Sequence, residues 1–345
     1  MRSVTAMVTA AFLVLSGCTG DDPAAAPQDG AEEAVLVNPV IETDFADPDV
    51  VVTADGLVAY ATGVPGSSAI QVTESGDDPD TWSGPADALP ERPDWQPLQE
   101  GLTWAPDVME RDGTWWMYYV ARDIDSGHQC LSRAVGQAPT GPFVDDSDRP
   151  FLCQHDLGGS IDPEVFADDD GSLWLYWKND GNAIGVDTTI WVQRLDDDGV
   201  TLLGKPQNTG LRQTHAWQGA LVEAPAVIRR GETYVMFYSA NDYGSADYAM
   251  GYAVAPSPQG PFVDQSPEPW VSSTPEAAGP GGQAVLTLGE DTWLAYHAWD
   301  PDMVGYAAGG ERSMWLDRIR WDGDVPVLEG PSATPSATPL AVPSG

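Results

Sequence analysis

Five copies of one sequence pattern constrain the fold of this chain more than any other feature. Each copy begins with a short motif, usually containing proline, and continues with an apolar stretch, a turn rich in Asp and Gly, and a second stretch rich in aromatic residues; "ADPDVVVTADGLVAYATG" is the first. The residue before the proline, or its counterpart in the fifth copy, recurs at intervals of 58, 57, 62 and 58 residues: Asp47, Ala105, Asp162, Ala224 and Gly282. A nearly constant interval indicates that one structural unit is stacked several times.

Each repeat predicts antiparallel β-structure, because apolar and polar residues alternate and turn signals come at short intervals. Two strands are strong, and "AMGYAVAPSPQGPFV" in the fourth repeat is typical of a third strand, a turn and the start of a fourth. Four strands in a repeat are characteristic of a propeller blade, so we predict an all-β, five-bladed β-propeller. A two-sheet sandwich is the alternative, but it does not predict five equal repeats. "AVLVNPV", which begins at Ala34, is expected to supply a strand that closes the ring.

The two ends of the chain differ in composition from the repeats. Residues 1–17 combine one arginine with an apolar stretch too short to span a bilayer, which is typical of an export signal. The residues up to Cys18 resemble a bacterial lipobox, in which the cysteine is lipidated; an ordinary secretory peptide is the alternative. We predict a polar tether over 18–34, the propeller over 35–331 and a disordered tail over 332–345. The protein would then be exported and anchored at the cell surface, touching the membrane only through its lipid.

Charge and cysteine content narrow the partners and the compartment. The formal net charge is −38, from 53 acidic and 15 basic residues, which argues against binding to nucleic acid or to anionic membranes. The chain has three cysteines. If Cys18 takes the lipid, Cys130 and Cys153 remain, and in an oxidising compartment we predict that they form a disulfide. Two buried thiols are the alternative.

Carboxylates occupy the repeated motif in three of its copies. In a propeller the first strand of each blade lines the central channel, so equivalent strand starts converge on one mouth of that channel. Asp47 and Asp162 stand directly before the motif proline, and Glu223 stands one position earlier in its own copy. We expect these three acids to meet over one pocket. The alternative is that the Asp residues only cap turns beside proline.

Three of the motifs together resemble glycoside hydrolase family 43: "DFADPDV", "SIDPEVFADDDGSLWLYW" and "LVEAPAVIRRGETYVMFYSAN". The resemblance extends over 35–331 and includes the closing segment "RSMWLDRIRWDG". It implies a five-bladed propeller that hydrolyses plant cell-wall polysaccharides containing arabinose or xylose, with inversion of configuration. An α-L-arabinofuranosidase or arabinanase is the first expectation. A β-xylosidase of the same family and a non-catalytic carbohydrate-binding propeller are the alternatives.

The same resemblance assigns roles to the three acids. Asp47 would be the general base, Glu223 the general acid, and Asp162 the residue that sets the proton affinity and orientation of the acid. Inverting glycosidases use two carboxyl groups about 6.5–9.5 Å apart, which leaves room for a water molecule. In these roles Asp47 would activate that water and Glu223 would protonate the leaving oxygen.

Other residues near the motifs are candidates for binding. Sugars present C–H faces that pack on aromatic rings, so Phe45 and Trp104 beside the rim, and Trp217 before the Glu223 strand, are expected to contact substrate. Asp107 is a turn residue or a further substrate contact.

The resemblance to the family also concerns a histidine in the fifth repeat. It places His297, in "WLAYHAWD", in the central channel, where it would contact a metal ion or water. A buried structural histidine is the alternative. We expect no cofactor to be required for the chemistry, while a structural calcium ion in the channel is compatible with the family pattern.

Overall fold

The computed structural model describes residues 36–76, 81–97 and 101–334. The predicted export signal, Cys18 and the tether lie outside these residues, as does the part of the predicted tail beyond 334. Strands account for almost all of the regular structure within these ranges, together with the short 3-10 helices η1 (His155–Leu157), η2 (Gly181–Ala183), η3 (Ala216–Gln218) and η4 (Tyr306–Ala308). No helix in the described ranges has the length and apolar character needed to cross a membrane.

The strands form five antiparallel sheets that follow one another along the chain. Blade 1 holds β1 (Asp49–Thr53), β2 (Gly56–Val64), β3 (Ser68–Glu74) and β4 (Ala86–Asp87); blade 2 holds β5 (Thr103–Arg111), β6 (Thr114–Arg122) and β7 (Gln129–Gly136); blade 3 holds β8 (Ser160–Ala167), β9 (Leu173–Asn179), β10 (Ile190–Leu195) and β11 (Leu202–Asn208); blade 4 holds β12 (Val222–Arg230), β13 (Thr233–Ala240), β14 (Ala249–Ala255) and β15 (Val263–Asp264); blade 5 holds β16 (Ala278–Leu288), β17 (Asp291–Trp299), β18 (Arg312–Asp322) and β19 (Val325–Leu328). In blade 2 an isolated bridge from Val135 to Val144 takes the place of a fourth strand. The predicted five-bladed propeller is therefore confirmed.

The first strand of each blade lies innermost, and β1, β5, β8, β12 and β16 contact one another in a ring. Hydrophobic side chains fill the spaces between neighbouring blades. Tyr60 of blade 1 packs with Tyr119 of blade 2, and Phe237 of blade 4 packs with Tyr296 of blade 5. Burying a large apolar side chain contributes about 1.5–3 kcal/mol, so each blade depends on both of its neighbours for stability.

The five motif positions share an unusual backbone conformation. Each has a positive φ, of 51°, 43°, 54°, 49° and 59° respectively: Asp47, Ala105, Asp162, Ala224 and Gly282. In blades 2 to 5 a β-bulge interrupts the pairing with the second strand at the same place. A bulge bends a strand and changes the direction of its side chains. The motif therefore turns the chain at an equivalent point of every blade, at the mouth of the channel.

The residues before β1 close the ring against blade 5. The backbone N–H of Val40 donates to the Met314 oxygen at 2.9 Å, and that of Phe45 donates to the Arg312 oxygen at 2.8 Å. The Asn38 side chain bonds both backbone groups of Leu316. The predicted closing segment thus pairs with β18. Residues 332–334, which the sequence places in the tail, contact this end of the propeller as well.

Cys130 and Cys153 form a disulfide, as predicted. The bond links β7 to the segment that leads through η1 into β8. Gln129, next to Cys130, forms a bridge with Gly159 directly before that strand. The disulfide therefore secures the entrance of the blade that carries Asp162.

Candidate active site

A cavity of about 640 Å³ opens at the mouth of the channel, where the five motifs converge. Asp47, Asp162 and Glu223 all line it. The structure thus brings together the three acids that the repeat register selects, from three different blades. A cavity of this size is typical of sites for small molecules.

Several contacts fix the position of Asp47. Its carboxylate accepts a hydrogen bond from the Thr62 hydroxyl at 2.7 Å and lies 3.3 Å from a guanidinium nitrogen of Arg312. Its backbone N–H donates to Nδ1 of His297 at 3.0 Å. The side chain is 25% exposed. These contacts orient the carboxylate and leave part of it open to the cavity.

Glu223 lies between two hydrogen-bond donors that the sequence patterns did not single out. Nζ of Lys178 is 2.9 Å from Oε2, and the hydroxyl of Tyr248 donates to Oε1 at 2.8 Å. Lys178 comes from β9 and is completely buried, while Tyr248 lies just before β14. Both carboxyl oxygens therefore have a partner that stabilises negative charge.

Asp162 lies beside this pair and accepts a hydrogen bond from the Ala224 N–H at 2.9 Å. Burial raises the pKa of Asp162 to about 7, and the negative charge of Glu223 acts in the same direction, while Lys178 opposes it. Burial alone would lower the pKa of Lys178, but the Glu223 and Asp162 carboxylates raise it above its ordinary value. One fixed cation is thus shared by two carboxyl groups, and Asp162 can hold a proton near neutral pH.

Comparison with known proteins identifies the family to which this chain belongs. A family model described as "Glycosyl hydrolases family 43" matches residues 36–326. The chain belongs to glycoside hydrolase family 43. It is 23% identical to the extracellular exo-alpha-(1->5)-L-arabinofuranosidase ArbA of Cellvibrio japonicus, over 82% of this chain and 85% of that protein. It is also 23% identical to the extracellular endo-alpha-(1->5)-L-arabinanase 1 of Bacillus subtilis, over 72% and 73%.

A solved structure agrees with the family match. The crystal structure of a thermostable family-43 glycoside hydrolase has a TM-score of 0.78 and 30% identity to this chain, covering 88% of this chain and 99% of that one. The protein is accordingly a glycosidase, and the cavity at the channel mouth is where the family-43 motifs of its blades converge.

His297 of this family-43 chain is fully buried and lies between Asp47 and Tyr248, the partner of Glu223. Its ring is nearly parallel to that of Tyr248, with centroids 5.9 Å apart. Burial lowers the pKa of His297 well below its usual range, with Arg312 adding to the effect, so the ring is neutral. Since Nδ1 accepts from Asp47, the ring proton is on Nε2. A continuous series of contacts therefore joins Asp47 to Glu223 through His297 and Tyr248.

A calcium ion bound directly to Nε2 of His297 does not fit the tautomer that the Asp47 contact selects. Nε2 carries the proton and is a donor, whereas a cation needs a lone pair there. Nε2 has no hydrogen-bond partner within the described ranges, so an acceptor such as water suits it. No group of three or more His, Cys, Asp or Glu side chains in those ranges could hold a metal ion. Calcium also prefers a shell of oxygen ligands.

A second ring of acids lies two residues further along the inner strands. Each accepts a backbone N–H from the next blade: Asp49 from Val108 at 2.8 Å, Asp107 from Val165 at 3.1 Å and Glu164 from Val227 at 3.1 Å. Burial raises the pKa of Asp49 and of Glu164 to about 7. Burial, followed by the charge of Glu164, raises that of Asp107 well above its usual value.

This ring corrects the expectation for Asp107. It borders the cavity, but its carboxyl links the inner strands of blades 2 and 3 and is engaged with Glu164. Asp107 is therefore a strand residue that links two blades and not a turn residue.

Of the aromatic residues that the sequence singles out, only Trp104 lines the cavity. Phe45 is fully buried in the core between blades 5 and 1, because its backbone pairs with β18 and its ring faces inward. Trp217 stacks on Tyr238, and its ring N–H donates to the Ser266 oxygen. The expectation that Phe45 and Trp217 contact substrate is therefore wrong.

Proposed function

We propose that this family-43 glycosidase hydrolyses its substrate with inversion, using Asp47 as general base and Glu223 as general acid. The observation that carries the proposal is the difference between the environments of these two carboxyls in one cavity. Asp47 is partly open and oriented by Thr62 and Arg312. Glu223 is enclosed by Lys178 and Tyr248. Two carboxyls with distinct surroundings suit an acid and a base that act at the same time.

The steps follow from these contacts. A water molecule on the Asp47 side attacks the anomeric carbon and gives a proton to the Asp47 carboxylate. The bond from that carbon to the leaving oxygen breaks, and the leaving oxygen takes the proton of Glu223. Glu223 thereby becomes negative, and Lys178 and the Tyr248 hydroxyl stabilise the new charge. Arg312 and Thr62 hold Asp47 in place while it gains its proton.

Asp162 is the third carboxyl group of the site and lies beside Glu223. Burial is the main reason that its pKa is raised to about 7. Since the two carboxyls share Lys178, a proton on one lowers the cost of negative charge on the other. We propose that Asp162 and Glu223 exchange the proton that is used in each turnover.

Arabinose-containing polymers are the proposed substrates, ahead of those containing xylose. Two relatives that align with most of this chain are named an exo-alpha-(1->5)-L-arabinofuranosidase and an endo-alpha-(1->5)-L-arabinanase. Both are named extracellular, which supports export of this protein as well. We further propose that Cys18 is lipidated and tethers the enzyme to the cell surface.

A substrate panel tests this proposal. The purified enzyme should release sugar from nitrophenyl α-L-arabinofuranoside and from linear arabino-oligosaccharides, with a kcat/KM at least about tenfold above that for the matching xylosides, because one well-placed hydroxyl contact is worth about 1.4 kcal/mol. The Asp47→Gly variant, prepared identically, controls for contaminating activity, because loss of the base should lower turnover of every substrate in the panel. Binding of the oligosaccharides without turnover would instead support a carbohydrate-binding protein.

A further inference from the structure

Two tyrosines at one edge of the cavity stand out by their exposure. Tyr243 is 46% exposed and Tyr306 is 47% exposed, and no other aromatic side chain in the described ranges is among the exposed large hydrophobic residues. Both line the cavity. Soluble proteins rarely leave adjacent large rings in solvent unless something binds there. Their shared position therefore points to a ligand.

A nearly buried arginine lies under both rings. Arg312 is 6% exposed, and its guanidinium carbon lies 5.0 Å from the ring centroid of Tyr243 and 5.3 Å from that of Tyr306. Its Nε donates to the Tyr306 hydroxyl at 3.0 Å, and Nη1 lies 3.3 Å from the Asp47 carboxylate. The rings are thus connected to the proposed general base through one side chain.

Further contacts hold the two rings in place before any ligand arrives. The Tyr306 hydroxyl donates to the Asp44 carboxylate at 3.1 Å. The ring N–H of Trp299 donates to the backbone oxygen of Tyr243 at 2.7 Å. Tyrosines fixed in this way contribute contact area at a low entropy cost.

The charges around the rings indicate a neutral ligand. The positive charge of Arg312 lies beside the Asp47 carboxylate, and the charge of Asp44, which accepts the Arg312 backbone N–H, also acts on it. An acidic sugar would meet these two carboxylates, whereas a neutral sugar can lay its C–H face on the rings. The sugar that is cleaved must lie deeper, between Asp47 and Glu223, so the exposed rings are placed for its neighbour.

We propose that Tyr243 and Tyr306 form a platform that binds a second, neutral sugar unit of the substrate, next to the unit that is cleaved. The proposal rests on the glycosidase function proposed above and names the part of the site that distinguishes an oligosaccharide from a single sugar. The platform requires that affinity for an oligosaccharide depend on the two rings far more than cleavage of a single glycoside does.

The test compares the double variant Tyr243→Ala/Tyr306→Ala with the unaltered enzyme. Calorimetric titration with arabinotriose and with xylotriose measures binding, with Glu223→Gln present in both proteins so that the trisaccharides are not consumed. With Glu223 restored, kcat/KM is measured on arabinotriose and on methyl arabinofuranoside, which has no second ring. We expect about 10- to 100-fold weaker binding of the preferred trisaccharide, since stacking on two rings is lost. The loss of kcat/KM should be at least about tenfold larger on arabinotriose than on the methyl glycoside.

Two control variants separate stacking from support of the fold. Tyr306→Phe keeps the ring and loses its hydroxyl contacts, so it should bind the trisaccharide nearly as well as the unaltered enzyme. Met303→Ala changes an equally exposed residue of the same loop, at 47% exposure, and should have no effect.

The outcomes distinguish a sugar-binding platform from two tyrosines that only support the fold. Unchanged trisaccharide binding in the double variant overturns the platform, as does failure of both trisaccharides to bind when the two rings are present. Equal losses on both substrates would show that the rings only support Arg312, which also overturns it. Ring-dependent binding without any turnover keeps the platform and contradicts the glycosidase mechanism instead.

Discussion

Replacing Glu223 by glutamine should lower kcat on arabino-oligosaccharides by about 100- to 10,000-fold, the range that a positioned general acid contributes. The amide keeps the size of the side chain, and its oxygen can still accept from Tyr248 or Lys178. It has no acidic proton to give to the leaving oxygen. The loss should be much smaller for nitrophenyl glycosides, because nitrophenolate departs without protonation. Steady-state kinetics on both substrate types measure this difference.

The control for this variant is Glu164→Gln, the same change in the second ring of acids. Glu164 bonds the Val227 N–H and touches neither Lys178 nor Tyr248, so its variant should keep kcat within about threefold. Thermal melting of both variants checks that the fold is intact, since Glu223→Gln removes the ion-pair partner of buried Lys178. An equal loss on oligosaccharides and nitrophenyl glycosides would contradict the assignment of Glu223 as the acid.

Removing the Asp47 carboxylate should lower kcat by a similar factor, but on every substrate alike, because water must be activated whatever group leaves. Asp47→Gly is the suitable variant. Asp47 has a φ of 51°, and the fifth blade has a glycine, Gly282, at the equivalent position with a φ of 59°. Glycine adopts this conformation without strain, so the loss measures the carboxylate rather than the backbone.

Chemical rescue sharpens this second prediction. Asp47→Gly leaves space beside the anomeric carbon, and azide needs no base in order to attack there. Added azide should restore turnover of nitrophenyl glycosides and yield a glycosyl azide of inverted configuration. Near-normal hydrolysis by Asp47→Gly, or an azide product with retained configuration, would rule out Asp47 as the base.

The repeat spacing is sufficient to predict both the blade count and the meeting of Asp47, Asp162 and Glu223. Equivalent strand starts of a propeller must share one mouth, so residues that are distant in the chain become neighbours by register alone. The five motif positions share a positive φ, so they occupy equivalent places in the five blades. Closure of the ring by the segment before β1 follows from the same repeat logic.

The partners of Glu223 could not be predicted from register, because they reach it from other positions in their blades. Tyr248 comes from a loop whose path depends on packing. Lys178 carried a signal that could have been used. It is one of only two lysines in the chain and stands in the apolar stretch "LWLYWKN". A lysine at such a position is buried, and a buried cation requires a carboxylate partner.

Closeness in sequence to the motif positions does not predict which side chains line the cavity. Asp44 lines the cavity, while its neighbour Phe45 faces the core, because successive residues of an extended segment point in opposite directions. Tyr243 and Tyr306, which do line the cavity, lie in loops that follow the second strands of blades 4 and 5. Only the three-dimensional course of those loops places their rings at the edge.

The stereochemistry of the product tests the central claim most directly. Proton NMR spectra recorded during the first minutes of hydrolysis show which anomer of the sugar forms before mutarotation mixes the two. Attack by a water held at Asp47, with Glu223 protonating the opposite side, predicts that the first anomer has the configuration opposite to that of the substrate. A first product with retained configuration would contradict the assignment of Asp47 and Glu223 as base and acid.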